Sequence, residues 1–561
     1  MALLIKLVFG STTGRTLRQF RDACRDPVSA QKQTLDTILL QNASSPFGKR
    51  YGFASVNSVN DYQKAVPLGD YDSLYPYIKA SMDGEPGLTV SPPIFYAVTS
   101  GTTGASKFIP VTRESRSAKS QTMKIFLSAL YRDHPQVFDG RILTVVSPEV
   151  ESYTPSGIPC GSESGYSYRN MPALLRALYS SPYDVYEIED YDARYYALMR
   201  IAAGQDIRVI YIINPSTLLL MIRILGERTA SIIKDIRDGT LSKEIRVDNR
   251  IRQVIESGLK PDPERATELE KAAEEADHLL VPEHVWPNLS VLCCWKGGNV
   301  SFYVDKLAKY FRENLPVRDI GYLASEHRSS VPLTDDGSSG ALAVGANFYE
   351  FVPAEKERPF HQYEALQPHM LEVGRQYYVI ITNHAGLYRY DMDDIVEVTG
   401  YYQNSPLIRF VQKGKGSSSF TGEKLYEGQV ISAIEQAFKA RQGHYEFIAA
   451  IGQIRGETPT YVFLVEFDDP CSDEDGRELL RLLEKELRTR NIEYAAKRDS
   501  LRISPPVLRI VKQGEFERFR KRKIEQGRPD SQFKIIRLTS DAKFMDEFSY
   551  YREINIGADQ K

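Results

Sequence analysis

The segment Thr99–Lys107, with the sequence T-S-G-T-T-G-A-S-K, combines two glycines, several hydroxyl groups and a terminal lysine. Glycine lets the backbone approach an anion closely, hydroxyl groups add hydrogen-bond donors, and Lys107 supplies positive charge. These features favour a phosphate-binding loop over an ordinary polar turn between a strand and a helix. The segment is not a Walker A loop, because Ser106 stands where glycine is required and Phe108 where Ser or Thr is required.

Other constellations of reactive side chains are weaker. Gly161–Gly165 resembles a nucleophile elbow in spacing, but Glu163 occupies the position of the nucleophilic serine. His327 and His384 lie beside the motifs discussed below and could deprotonate an amine, or could equally be structural hydrogen-bonding groups. The basic run Arg518–Lys523 is typical of a solvated helix face.

Composition excludes several classes of protein. The 561 residues include 71 Lys+Arg and 74 Asp+Glu, a net charge of −3, which argues against a general nucleic-acid binder. The 5 cysteines are an odd number at low density with no C-x-x-C pair, which indicates a reducing compartment. No stretch approaches the roughly 20 apolar residues of a membrane-spanning helix. We therefore expect a cytoplasmic protein with no nucleic-acid partner and no stable membrane insertion.

The elements around the loop predict an α/β fold. The run Ile94–Val98 is strand-like and leads into the loop, and a helix is expected from about Thr112. Arg141–Ser147 and Ile207–Ile213 are rich in β-branched residues and predict buried parallel strands. Further strands cluster between residues 289 and 412, which predicts a small β-barrel or a second sheet.

A second domain is predicted after this region. Lys413–Ser419 has the Gly/Ser/Lys composition of a linker, and helices alternate with strands beyond it. We therefore expect a large N-terminal domain over residues 1–412, with α/β sheets and a small β-barrel. A smaller α+β C-terminal domain is expected over residues 413–561.

The loop resembles the signature of the adenylate-forming (firefly luciferase-like) superfamily, which runs S/T-S/G-G-S/T-T-G-x-P-K. Ser106 replaces the proline, a departure typical of the auxin-responsive (Gretchen Hagen 3) acyl acid–amido synthetase family. Other segments resemble motifs of that family in the same order along the chain: Tyr153–Pro159, Gly321–Glu326, Gly386–Val396, Gly514–Phe516 and Gln532–Lys534. The resemblance spans essentially the whole chain and implies a luciferase-like architecture with a mobile C-terminal domain.

The resemblance also implies a reaction and a site. A carboxylic acid would be adenylated with ATP and Mg²⁺, and an amine, expected to be an amino acid, would then take the acyl group. Glu326 would bind Mg²⁺, Tyr322 and Ser325 would border the nucleotide, and Asp394 would accept hydrogen bonds from the ribose. Arg409 would be a hinge or nucleotide contact. The catalytic lysines would be Lys107 and Lys534, and the remaining ATP-binding residues would be Ser100, Gly101, Thr102, Thr103 and Gly104.

Two departures leave alternatives open. Asp393 occupies the position of a family glycine, which could alter the local turn and keeps a non-catalytic nucleotide-binding protein possible. The segment Phe420–Leu425, F-T-G-E-K-L, is similar to a segment of general acyl-CoA ligases. An acyl-CoA ligase on the same scaffold is therefore the alternative enzyme. The identities of the acid and the amine are not specified by the sequence.

Overall fold

The computed structural model describes residues 2–100, 106–297, 301–356, 360, 363–414, 417–441, 445–468, 470–525 and 536–556. It is a mixed α/β protein with several sheets, as predicted. Two compact units are present, one formed by residues 1–98 and 108–412 and the other by residues 99–107 and 413–561. Among the described residues, no helix has both the length and the apolar character needed to cross a membrane.

The helices of the first unit are α1 (Ala2–Arg25), α2 (Pro27–Asn42), α3 (Pro46–Arg50), α4 (Val59–Ala65), α5 (Tyr71–Met82), α6 (Arg113–Asp133), α7 (Glu163–Arg169), α8 (Ala173–Arg176), α9 (Tyr191–Ala203), α10 (Pro215–Glu227), α11 (Thr229–Asp238), α12 (Asn249–Ser257), α13 (Pro263–Glu274), α14 (Pro282–Val285) and α15 (Ser301–Ala308). The strands up to residue 413 are β1 (Phe95–Ser100), β2 (Ser106–Val111), β3 (Arg141–Thr144), β4 (Ser152–Tyr153), β5 (Pro159–Gly161), β6 (Ile207–Tyr211), β7 (Val291–Cys293), β8 (Val317–Arg318), β9 (Ser330–Val331), β10 (Gly340–Leu342), β11 (Phe348–Pro353), β12 (Gln376–Thr382), β13 (Tyr390–Tyr402) and β14 (Ser405–Lys413).

A parallel sheet of order β3-β6-β7-β8 forms the centre of the first unit. The β-branched runs at 141–147 and 207–213 supply β3 and β6, which confirms their prediction as buried parallel strands. Apolar side chains pack against both faces of the sheet, so alternate residues such as Val209 and Ile210 belong to different core clusters. The carboxyl end of β8 leads directly into the segment that contains Tyr322 and Glu326.

The Gly/Thr/Ser segment is followed by a strand, β2, that the sequence did not predict, and the helix expected from about Thr112 is confirmed as α6. β1 ends at Ser100, and β2 begins at Ser106 and includes Lys107. β2 is the outer strand of the sheet β2-β1-β5-β4, where Pro110 is tolerated although it has no N–H group. Helix α6 then begins at Arg113, and the Thr112 side chain caps it by accepting a hydrogen bond from Ser115 N.

The strand-rich region forms an antiparallel sheet of six strands in the order β11-β12-β13-β14-β10-β9. The pairing of β12 with β13 shifts between Tyr378 and Ile380, because Tyr378 pairs with Ile395 whereas Ile380 pairs with Asp391. Three residues of β13 therefore stand opposite one residue of β12. This bulge contains the predicted ribose-binding residue Asp394.

The C-terminal unit has its own sheet and two core clusters. Its sheet has the order β20-β17-β18-β19-β21, and alternate residues of β17 contribute to opposite faces, as do Ile448 and Ala449. The remaining elements are β15 (Ser417–Ser418), β16 (Leu425–Tyr426), α16 (Glu427–Arg441), β17 (Tyr445–Arg455), β18 (Thr458–Phe467), α17 (Asp473–Arg490), α18 (Ile492–Asp499), β19 (Val507–Val511), α19 (Glu515–Glu525), β20 (Leu538–Thr539) and β21 (Tyr550–Asn555).

Candidate functional site

A tight hairpin places Ser325 and Glu326 at its tip. Leu323 bridges Arg328 in antiparallel fashion, Ala324 N donates to His327 O at 2.9 Å, and His327 N donates to Ala324 O at 3.2 Å. Ser325 and Glu326 are therefore the two central residues of the turn. Backbone geometry, rather than side-chain packing, thus presents the predicted magnesium ligand.

The hairpin begins at a glycine that no other residue could replace without strain. Gly321 has φ of +84°, and a Cβ there would lie 2.3 Å from Ser330 O. Asp319 holds this turn, because its carboxylate accepts hydrogen bonds from Gly321 N at 2.6 Å and Lys296 N at 2.7 Å. Burial raises the pKa of Asp319 from 3.8 to about 6, although both backbone donors oppose the increase.

Two side chains from distant elements hold the tip of the hairpin. Lys119 of α6 donates to Ser325 O at 2.5 Å and pairs with Glu163 at 2.8 Å. Asn383 donates to Glu326 O at 3.0 Å. The main chain on both sides of the Glu326 carboxylate is thereby fixed by α6 and by the loop after β12, while the Glu326 side chain is nearly buried.

Asp394 is brought to the hairpin by the bulge in β13. Asp393 adopts φ of +53°, a left-handed conformation that explains why glycine suits this position, and its N–H donates to Asp391 Oδ1 at 2.8 Å. Asp394 is buried, and Tyr322 donates its hydroxyl to Asp394 Oδ2 at 2.6 Å. The aspartate at position 393, in place of the family glycine, is therefore compatible with a buried Asp394 side chain.

The ring of Tyr322 is enclosed by aromatic groups. Phe410 stacks with it at 6.0 Å between centroids, and the His327 ring meets it edge-on at 4.7 Å. Burial and the nearby Asp394 carboxylate raise the pKa of Tyr322 well above its ordinary value. The phenol thus remains a neutral donor that orients the Asp394 carboxylate.

Arg409 forms an ion pair within the six-stranded sheet. Arg409 lies on β14, and its guanidinium pairs with Glu397 of the neighbouring strand β13 at 2.8 Å. Of the loop residues, Ser100 ends β1 and Lys107 lies in β2, while Gly101, Thr102, Thr103 and Gly104 lie outside the described residues. The predicted catalytic residue Lys534 also lies outside them.

The two histidines occupy different surroundings. His327 is buried, with Nδ1 2.6 Å from the Ser329 hydroxyl oxygen. His384 has Nδ1 3.3 Å from Gln41 Oε1, and burial lowers its pKa. A neutral imidazole is thus favoured at His384.

Sequence reasoning missed Lys119, Asn383 and Asp319. Lys119 and Asn383 bind main-chain oxygens of residues 206 and 57 positions away, and such contacts leave no motif in the sequence. Asp319 had a usable signal, because an aspartate two residues before a glycine is typical of a turn in which the carboxylate binds backbone N–H groups.

Comparison with known proteins gives matches along most of the chain. The GH3 family N-terminal domain matches residues 16–317, the GH3 family central domain residues 340–413, and the GH3 family C-terminal domain residues 428–543. A jasmonoyl–L-amino acid synthetase of Oryza sativa subsp. japonica is 26% identical over 94% of this chain and 94% of its own. An indole-3-acetic acid-amido synthetase of Arabidopsis thaliana is 26% identical over 95% and 93%, respectively. The solved structure of the GH3.15 acyl acid amido synthetase aligns with a TM-score of 0.65 and 21% identity, covering 96% of this chain and 97% of that one.

Proposed function

This chain belongs to the GH3 family, and on that premise we propose that it is an ATP-dependent acyl acid–amido synthetase. It joins a carboxylate to the α-phosphate of ATP, releases pyrophosphate, and transfers the acyl group to an amine, in our proposal an amino acid. The observation that carries the proposal is the pairing of Tyr322 with Asp394 beside the Ser325-Glu326 turn. Residues of two separate family motifs are thus in contact although 72 positions separate them along the chain.

The reaction brings two anions together, so positioning and positive charge contribute more than proton transfer. We propose that Asp394 accepts hydrogen bonds from the ribose hydroxyls and that Tyr322 and Ser325 border the base. Lys107, with Ser100, Gly101, Thr102, Thr103 and Gly104, is proposed to hold the phosphates. Lys534 is proposed to bridge the carboxylate and the α-phosphate oxygens as charge develops.

Glu326 is the proposed protein ligand of Mg²⁺. Mg²⁺ in nucleotide sites is typically held by one or two carboxylates together with phosphate oxygens and water. A single carboxylate on a fixed turn fits that requirement, and among the described residues no cluster of three or more acidic, histidine or cysteine side chains forms a separate metal site. When bound, the ion would neutralise phosphate charge.

The roles of the two domains are also a proposal. We propose that residues 1–412 bind the acid and ATP and that residues 413–561 form a mobile domain that contributes Lys534. Arg409 lies three residues before this boundary, and its pairing with Glu397 supports a role at the hinge more than a contact with the nucleotide. The cysteine content supports a cytoplasmic location, and the net charge of −3 supports the absence of a nucleic-acid partner.

Exchange of labelled pyrophosphate into ATP tests the proposed function. The purified protein should catalyse exchange when a suitable carboxylic acid is present, and addition of amino acids should then yield an amide and AMP. Lys534→Ala should slow exchange by about 100-fold or more while leaving ATP affinity within about twofold. Absence of exchange and of AMP formation across a broad panel of acids, with ATP binding retained, would favour the non-catalytic nucleotide-binding alternative.

An acyl-CoA ligase remains the second candidate because of the segment Phe420–Leu425. Glu423 in that segment is buried and accepts hydrogen bonds from Phe420 N and Thr421 N at 2.8 Å and from the Tyr461 hydroxyl at 2.6 Å. These contacts give the carboxylate a structural role in the C-terminal unit. Mass spectrometry of products formed with CoA or with amino acids separates the two reactions, since only a thioester would identify the ligase.

A further inference from the structure

The two sides of the Ser325-Glu326 hairpin carry different groups. Side chains alternate across paired strands, so the bridged residues Leu323 and Arg328 face one side, and their neighbours Tyr322 and His327 face the other. The ring contact between Tyr322 and His327 agrees with this alternation. The side with Tyr322 meets Asp394, and the opposite side contains Arg328.

Arg328 is a buried cation, with only 7% of the residue exposed. Its Nη2 donates to Ile320 O at 3.0 Å, and its Nη1 makes a long contact of 3.3 Å to the Tyr211 hydroxyl. The guanidinium lies over the ring of Phe126, 5.2 Å from its centroid. Within the described parts of the chain, no acceptor lies within hydrogen-bond distance of Nε, and no carboxylate is within ion-pair distance.

Two other buried arginines of the same unit are paired with carboxylates, whereas buried Arg194 and Arg200 donate to main-chain oxygens. Arg318 contacts Asp133 at 2.7 Å and Asp335 at 2.6 Å, and Arg389 contacts Glu350 at 2.9 Å. Removing an ion from water is unfavourable unless an opposite charge and hydrogen bonds compensate for the lost solvation. The neutral contacts of Arg328 supply part of that compensation, and an N–H group still points at no described acceptor.

We propose that Arg328 binds a carboxylate group of the acyl acid substrate. A planar guanidinium matches a carboxylate in charge and shape, and the remaining donor at Nε is available for it. Phe126 and Tyr211, whose ring centroids are 6.2 Å apart, provide apolar and hydroxyl surface beside the bound group. The proposal rests on the proposed function for its substrate class and assigns an acid-binding residue on the hairpin side opposite Asp394.

The carboxylate that Arg328 binds is either the one that reacts with ATP or a second carboxylate of the same acid. Ligands that differ in their number of carboxylates distinguish the two. Phenylacetate carries only the carboxylate that would react, and 1,4-phenylenediacetate adds a second one at the far end of the ring. Phenylacetamide and indole-3-acetate serve as the neutral control and as a larger monoacid. Isothermal titration of each compound into the full chain without ATP measures binding and requires no turnover.

Arg328→Met is the decisive variant. An acid that binds the wild-type protein should bind this variant about 30-fold more weakly, while phenylacetamide binding and the KM for ATP stay within twofold. The melting temperature of the ligand-free variant should be unchanged or higher, because an apolar side chain replaces a buried charge without a carboxylate partner. Arg328→Lys, which keeps the charge but lacks the planar fork, should bind acids with intermediate affinity.

A structural role would give the opposite pattern. Arg200→Met is the matched control, since buried Arg200 donates to the main-chain oxygens of Thr240 and Asp235, and its loss should lower the melting temperature without changing acid affinity.

Equal acid affinity of wild type and Arg328→Met, or no acid binding by wild type, would overturn the proposal. If the affinity for phenylacetate depends on Arg328, the group that Arg328 binds is the reacting carboxylate. If only the affinity for 1,4-phenylenediacetate depends on Arg328, the bound group is the second carboxylate of the acid. Failure of pyrophosphate exchange with acid binding intact would refute the proposed function alone.

Discussion

The two sides of the Ser325-Glu326 hairpin treat buried charge differently. On one side, the Asp394 carboxylate receives the Tyr322 hydroxyl at 2.6 Å within an aromatic enclosure. On the other side, the Arg328 guanidinium has an aromatic face and neutral acceptors, but no carboxylate among the described residues. One short hairpin thus separates an oriented anion from a cation that is incompletely compensated. Because side chains alternate along the hairpin, its two faces carry buried groups of opposite charge.

Removal of the anion should have the largest effect. Asp394→Ala takes away the acceptor of Tyr322 and the proposed ribose contact, so kcat/KM for ATP in pyrophosphate exchange should fall by about 100-fold or more. Tyr322→Phe keeps the ring and loses only the orienting donor, so a decrease of about 10-fold is expected. Exposed Asp336→Ala is the control. Equal activity of Asp394→Ala and wild type would break the comparison, because Asp394 would then have no role in nucleotide binding.

Removal of a buried cation that contacts two carboxylates should affect stability rather than acid binding. Arg318→Met removes the buried guanidinium that contacts Asp133 and Asp335, and we expect a decrease of about 3 kcal/mol in the free energy of unfolding. The surface pair of Arg208 with Asp206 offers a control, since Arg208→Met should cost less than about 1 kcal/mol. Urea denaturation measures both values. If Arg318→Met were as stable as wild type, pairing with a carboxylate would no longer distinguish Arg318 from Arg328.

The smallest expected effect is a change in the pH dependence of stability at the base of the hairpin. The pKa of Asp319 is raised from 3.8 to about 6, so the folded state holds a proton that the unfolded chain releases over this interval. The contribution of Asp319 to stability is therefore fully present below pH 3.8 and is lost as the pH rises through 6. The free energy of unfolding is measured as a function of pH for the wild type and for Asp319→Asn. The variant should lack the part of the pH dependence that arises from titration of Asp319.

Arg328 offers a way to sharpen that measurement. The positive charge of Arg328 is among the factors that lower the pKa of Asp319, although burial is the largest factor and raises it. In the Arg328→Met variant the pH-dependent component should therefore extend to higher pH. An identical pH profile in both proteins would show that the two side chains do not interact electrostatically.

Recognition of the site from sequence depended on short motifs. Tyr322, Glu326 and Asp394 belong to such motifs, and the structure brings Tyr322 and Asp394 into contact. The strand β2 was not predicted, and it contains Pro110, a residue without an N–H group that an outer strand tolerates.

The supporting contacts lay beyond sequence reasoning for a different reason. Lys119 and Asn383 bind backbone oxygens, and many side chains of suitable length could do the same from other positions. The sequence did not predict a role for Arg328, because an arginine after Ser325-Glu326-His327 is indistinguishable from an ordinary surface residue until its burial is known. Burial and the lack of a partner are properties of the assembled fold, and no spacing rule encodes them.

The bulge in β13 also has a consequence for how this family can diverge. Between the pairs Asp391–Ile380 and Ile395–Tyr378, β13 advances four residues while β12 advances two. Both numbers are even, so the inward and outward phases of β13 are the same before and after the bulge. The bulge therefore takes up its extra residues locally, so changes in its length would remodel the Asp394 segment while the paired residues on either side keep their buried and exposed faces.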